Sequence, residues 1–182
     1  MVIYIVLIVI VLVVIYAVFL YNSFIKLNNK VEEAFSIMDV YLKKRWDLVP
    51  NLVRVVKGYA KYEKNILEEV TKLRSSNYDN MSNDEKLKIN LKLSTDISKV
   101  MVLVEKYPDL KAKDNFLDLN NKLVKIEDNI VNARKYYNGT VRIFNNKVEM
   151  FPNNIFAKVF GFRSKQMFEA KDGEREKVKV KL

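Results

Sequence analysis

The polar residues best placed to carry chemistry in this chain are Glu63, Glu127, Arg134, Asn138 and Asn145. Each falls on or beside an otherwise apolar helical stripe. The last four follow one another at seven, four and seven residues, which keeps them on roughly one side of a helix. Carboxylates gathered on such a face could hold a hard cation, or work with the arginine as a catalytic polar core. The plainer reading is a charge pair with amides that fix helix register. Composition decides between the two. The chain has no His and no Cys. That removes an imidazole base, a thiolate nucleophile, disulfides, the usual zinc ligands and the Glu-x-x-His pairs of dinuclear helical sites. Glycines such as Gly58 and Gly139 stand isolated, so no phosphate-cradling loop is present. The expectation is a non-enzymatic protein with no metal site and no cofactor.

The elements that would position these residues read as helices. Apolar residues recur in steps of three and four along four series. The first is Val31, Phe35, Met38 and Leu42. The second runs from Leu52 through Val56, Tyr59, Ile66 and Val70 to Leu73. The third is Leu93, Ile97, Val100 and Val104, and the longest runs from Phe116 to Phe151. Pro108 closes the third series, because a proline disfavours helix at the residue before it. Asp114 is suited to cap the fourth. Pro50 is the ambiguous point. Inside a helix it would kink the chain; in a first turn, with Asp47 as the capping residue, it is tolerated. Taking it as a break gives helices near 22–46, 48–76, 84–106 and 114–150, of lengths that suit an antiparallel bundle.

Residues 2–20 read VIYIVLIVIVLVVIYAVFL without a charge. About 20 apolar residues are needed to cross the hydrocarbon core of a bilayer as a helix. Tyr4, Tyr16 and Tyr21 mark the ends, where aromatic belts form. A cleaved signal peptide is disfavoured by the missing basic flank, the missing cleavage site and the length of the run. Lys26, Lys30, Lys43, Lys44 and Arg45 follow the span, which predicts an N-terminus outside and a bundle on the cytoplasmic side of the membrane. The net charge of +10 favours anionic lipid headgroups as a partner. Nucleic acid is disfavoured, since the lysines are interspersed with Asp and Glu.

Near the other end, residues 150–162 read MFPNNIFAKVFGF. Asn153 or Asn154 can cap a short amphipathic helix here. Phe156, Phe160, Phe162 and Phe168, with Lys158, Arg163 and Lys165 as cationic flanks, have the composition of a segment lying in a membrane interface. The competing role is a plug for the membrane-proximal end of the bundle. That role fits Ile155 and Phe156 better, and the lipid role fits Phe160, Phe162 and Phe168 better. Lipid contact at this segment is expected only if the chain turns at Pro50, so that four antiparallel helices bring it back to the membrane.

The fold expected is therefore all-α: an N-terminal transmembrane helix (1–21), an antiparallel four-helix bundle (22–151), a short amphipathic segment (152–168) and a charged, disordered tail (169–182). Several long motifs also resemble one family. YNSF (21–24), VEEAFSIMDVYLKKRWDLVPNLVRVVKGYAKYEK (31–64) and FLDLNNKLVKIEDNIVNARKYYNGTVRIFNNKVEMFPNNIFAKVFGF (116–162) are similar to the LemA family, over nearly the whole chain. One departure is Tyr62, where related sequences often carry His. The resemblance implies one span and four long bacterial bundle helices, with Asp47, Pro50, Asn51, Glu63, Glu127, Arg134, Asn138 and Pro152 as structural motif residues. It implies no enzyme activity. It links the chain to magnetosome-membrane formation and, by gene neighbourhood, to membrane proteases. Self-association, scaffolding or a membrane-protein partner are the roles that follow.

Overall fold

The computed structural model describes residues 1–59, 68, 71–72 and 77–168. Among them the chain is all helical. Helix α1 is Val2–Lys57, a 3-10 turn covers Tyr78–Asn80, α2 is Asn83–Val104, α3 is Pro108–Lys111, α4 is Asp114–Glu149 and α5 is Asn153–Phe160. Glu63, Tyr62 and the charged tail lie outside the described residues.

The helix expected to begin near residue 48 does not begin there. Helix α1 runs through Pro50 without a break, and Asp47 is an interior helical residue rather than a cap. Proline inside a helix costs about 3 kcal/mol, because it removes one amide donor and crowds the preceding turn. Tertiary burial offsets that cost. Val49, Leu52 and Val56 around Pro50 are all buried. The signal was present in the sequence. Val31, Phe35, Met38, Leu42, Arg45, Val49, Leu52 and Val56 alternate steps of four and three without interruption, so one stripe crosses the proline.

The reversal comes later. Gly58 and Tyr59 leave α1 in a turn, with the Tyr59 amide donating to the Val56 carbonyl at 3.0 Å. By Tyr78 the chain is back beside Asp39 and Trp46. Trp46 lies 11 residues, about 17 Å, before the end of α1. The observed ends of α2 and α4 agree with the sequence pattern to within a few residues. Ser82 starts α2 through a capping box: the Glu85 amide donates to Ser82 Oγ at 3.4 Å and the Ser82 amide donates to the Glu85 carboxylate at 2.8 Å. Asp114 stands in the first turn of α4 rather than before it.

The chain divides into two compact units. One is Met1–Ser36 with Arg134–Met167; the other is Ile37–Ala133 with Phe168–Leu182. In the second unit α1 and α2 run in the same sense, since Asp39 meets Lys86 and, further along, Arg45 meets Asn90 and Ser94. Leu42, Trp46, Val49, Leu52, Leu93, Val100 and Phe116 fill its interior. In the first unit α4 is antiparallel to α1. Phe35 meets Tyr137 edge-on, while the earlier residues Leu27 and Lys30 share a groove with Tyr136, Gly139 and Ile143. Phe24, Val31, Val141 and Phe144 are its core.

Residues 2–20 form the first turns of α1. The helix is long and apolar enough there to cross a membrane, and its apolar window is uncovered by protein.

Candidate functional site

Two places concentrate unusual chemistry, one in each unit. The first is a buried polar cluster built on Arg45. This residue occupies a core position of the α1 stripe and is only 1% exposed. Its Nη1 donates to Ser94 Oγ at 2.6 Å and to Glu127 Oε1 at 2.7 Å. Its Nη2 donates to the Asn90 carbonyl and to Asn90 Oδ1, both at 3.0 Å. Asn90 in turn donates from Nδ2 to Tyr78 Oη at 3.1 Å and to the Lys86 carbonyl at 2.9 Å. Tyr78 Oη donates to Asp39 Oδ1 at 2.7 Å, and Lys86 Nζ donates to the other Asp39 oxygen at 2.7 Å. The Tyr78 ring lies against Trp46, with Lys43 and Lys86 on it as cation–π partners.

Arg45 thus joins the polar faces of α1, α2 and α4, and Tyr78 adds the turn before α2. Burial pushes the Tyr78 hydroxyl far above the ordinary tyrosine pKa, with the bond to Asp39 and its negative charge adding to the effect. A phenol held neutral in this way donates a fixed hydrogen bond and does not act as a base at neutral pH. Arg45 Nε is buried with no hydrogen-bond acceptor. Almost every other donor and acceptor is engaged inside the cluster, which suits it to holding register between helices. Among the described residues no three acidic side chains gather in a way that could hold a metal ion.

The sequence pattern led to Glu127 but not to its partner. Glu127 pairs with Arg45, 82 residues away, and keeps a side chain 43% exposed. Arg45, Asn90 and Tyr78 were missed. Arg45 carried a signal, a charged residue at a core position of the α1 stripe; Asn90 and Tyr78 lie outside that stripe. Arg134 and Asn138 are half-buried residues of the other unit. Asn51 is exposed on α1, and Asp47 sits 3.8 Å from Lys43 on the same helix.

The second place is the segment after α4. A cis Phe151–Pro152 peptide bond leads into α5. Pro152 precedes the helix, and neither Asn153 nor Asn154 caps it. Asn153 is instead the acceptor of a 3.5 Å hydrogen bond from Tyr16 Oη. Helix α5 ends at Gly161, whose φ of 78° lies in the left-handed region that glycine adopts freely. The Phe162 amide donates to the Ala157 carbonyl at 2.9 Å and the Gly161 amide to that of Lys158 at 3.3 Å, a Schellman closure.

That closure turns Phe162 inward. Its ring stacks on Phe24 with centroids 4.9 Å apart and also meets Tyr21 and Phe144. Phe160 packs edge-on against Tyr21 at 5.2 Å, and Phe156 against Tyr16 at 5.6 Å. Asn145 then fixes the chain beyond α5. Its Nδ2 donates to the Lys165 carbonyl at 2.9 Å, and its Oδ1 accepts from the Lys165 amide at 2.8 Å. Tyr137 Oη donates to the Gln166 carbonyl at 2.9 Å.

This arrangement redistributes the residues expected to face lipid. Phe162 and Phe168 are directed inward; Phe168 is buried. Lys165 is an internal anchor, with its ammonium on Glu32 and over the Phe144 ring. Ile155, expected to plug the bundle, is instead 54% exposed, as are Phe151 (80%) and Val159 (75%). Lys158 and Arg163 are exposed. The dependence on a turn at Pro50 also falls away. The chain reverses after Lys57, and α5 still lies against the end of the apolar run.

A family model described as LemA family matches residues 34–182. Protein LemA of Metamycoplasma hominis is 26% identical over 156 residues, covering 85% of this chain and 71% of its own. Magnetosome protein MamQ 2 of Paramagnetospirillum magneticum is 24% identical over 177 residues, covering 83% of this chain and 65% of its own. Magnetosome protein MamQ of Magnetospirillum gryphiswaldense is 20% identical over the same span and shares.

Proposed function

This chain belongs to the LemA family, and from that membership and the geometry above we propose that it is a non-enzymatic membrane protein that organises protein assemblies at the bilayer. The observation that carries the proposal is the continuity of α1. One helix supplies both the uncovered apolar run and the core stripe of the folded part, with Phe24, Val31, Phe35, Leu42 and Leu52 buried in sequence. A helix that continues from an apolar run into a packed core suits a scaffold better than a tethered enzyme. The magnetosome names of its relatives support a role in membrane organisation.

Self-assembly is the finer part of the proposal. A shallow groove of about 350 Å³ in the first unit is lined by Leu27, Lys30, Tyr136, Gly139 and Ile143. Ile143 is exposed, and a Cβ at Gly139 would meet nothing within 4 Å. The groove therefore leaves room for a second apolar surface to approach. Lysine-directed crosslinking in intact membranes at native expression tests the reading. A ladder of homo-oligomers is the expected result. A strictly monomeric chain, or crosslinks only to one different membrane protein, would overturn self-assembly; the second result would establish an adaptor.

A further inference from the structure

We propose that α5 is a second membrane contact: a short interfacial helix that lies in the bilayer surface beside the end of the span, on the face of Ile155 and Val159, with Phe151 exposed just before it. The inference rests on reading residues 2–20 as membrane-spanning. It names the face, the depth and the partner, which that reading leaves open.

A bilayer core of about 30 Å takes about 20 helical residues. The apolar run supplies about that number and ends at Leu20, before Tyr21, Asn22 and Ser23. Tyr16 lies four residues before Leu20, about 6 Å along the axis. A side chain in contact with Tyr16 is therefore at the edge of the hydrocarbon. Phe156 and Asn153 make that contact, and Phe160 meets Tyr21 one turn further out. These contacts put α5 at the level where the hydrocarbon ends.

Ile155 and Val159 stand four residues apart on one face of α5, while Phe156 and Phe160 pack on α1. Met150 and Phe151, just before the helix, are 61% and 80% exposed. No part of the described chain covers these side chains, and they adjoin a stretch of α1 that is itself uncovered. Lys158 and Arg163, both exposed, supply cations for anionic headgroups, with the lysine stem long enough to reach outward from an apolar surface. The Schellman closure and the Asn145 clamp fix α5 in place before it meets lipid, so little ordering remains on insertion.

The chain has no Cys, which permits a direct test. Single variants Val159→Cys, Val13→Cys and Val102→Cys, each at an exposed position, are labelled with an NBD fluorophore. The full-length proteins are reconstituted in phosphatidylcholine–phosphatidylglycerol vesicles that carry spin-labelled lipids. The expected result is deep quenching at residue 13, shallow quenching with a blue-shifted emission at residue 159, and emission as in water at residue 102. Residue 159 reporting water while residue 13 is quenched overturns the interfacial helix and leaves the span intact. Residue 13 reporting water overturns the span and this proposal with it. Val159→Cys is used because it sits outside the packed rings and leaves the fold undisturbed. An Ile155→Cys label should match it; disagreement between the two would overturn the assigned face.

Discussion

The unit Ile37–Ala133 and the unit of Met1–Ser36 with Arg134–Met167 draw on the same two helices, α1 and α4, yet fill their interiors differently. The first closes around a charge. Arg45 is buried at the level of Trp46 and Leu42, and its guanidinium is held by Ser94, Asn90 and Glu127. The other closes with rings: Phe162 stacks on Phe24 and meets Phe144 edge-on, and Phe160 meets Tyr21 edge-on. A buried guanidinium needs acceptors from several helices at once, so it penalises any slip in register. Aromatic packing adapts more readily and tolerates a neighbouring bilayer. The aromatic solution is built against the end of the apolar run of α1.

Substitutions can break or sharpen this contrast. The largest effect is expected for Phe24→Ala, which removes a fully buried ring from the aromatic unit. It should lower the unfolding free energy in detergent by about 3–5 kcal/mol, read by denaturant titration. Trp46, the one tryptophan, lies in the other unit and should lag in fluorescence if the two units come apart separately. Coincident transitions would show that the contrast is chemical and not cooperative.

Arg45→Ala comes next, at about 3 kcal/mol. This is the low end for breaking a buried pair, because Glu127 stays partly solvated. Arg45→Met restores packing and should cost clearly less. A Met variant more stable than the natural chain, with helices in unchanged register by disulfide mapping, would remove the specificity role assigned to the cluster.

The smallest effect concerns pH. Tyr78 has a raised pKa in the folded chain, chiefly through burial and then through Asp39. The stability this contributes is whole below the ordinary tyrosine pKa of about 10 and is lost as pH rises above it, where only the unfolded chain ionises. Alkaline denaturation should therefore set in above about pH 10 and should weaken in Tyr78→Phe. At neutral pH that variant should lose about 1 kcal/mol, since Asp39 keeps its bond from Lys86. An unchanged alkaline limb would show that Tyr78 ionises while folded.

Much of the fold was legible. Hydrophobic steps of three and four located α2 and α4, the apolar run located the start of α1, and the Phe-rich stretch located α5. Pro50 misleads because a break there gives helix lengths that suit an antiparallel bundle, whereas the apolar stripe crosses it and α1 continues to Lys57. The Glu127 partner was illegible from spacing along one helix, since it comes from 82 residues away. The inward turn of Phe162 depended on a left-handed Gly161, and only that geometry separates it from the outward Ile155 and Val159.

By itself the sequence determined the class of this protein: a membrane-spanning length of apolar residues, amphipathic helices after it, and no imidazole or thiol for chemistry. Those properties are local, because periodicity and side-chain type act over one or two helical turns. The tertiary structure alone decided which polar residue is buried, where the chain reverses, and which face of α5 is left uncovered. Each of these is settled by competition between distant segments for the same buried surface, and no single stretch of chain contains that competition.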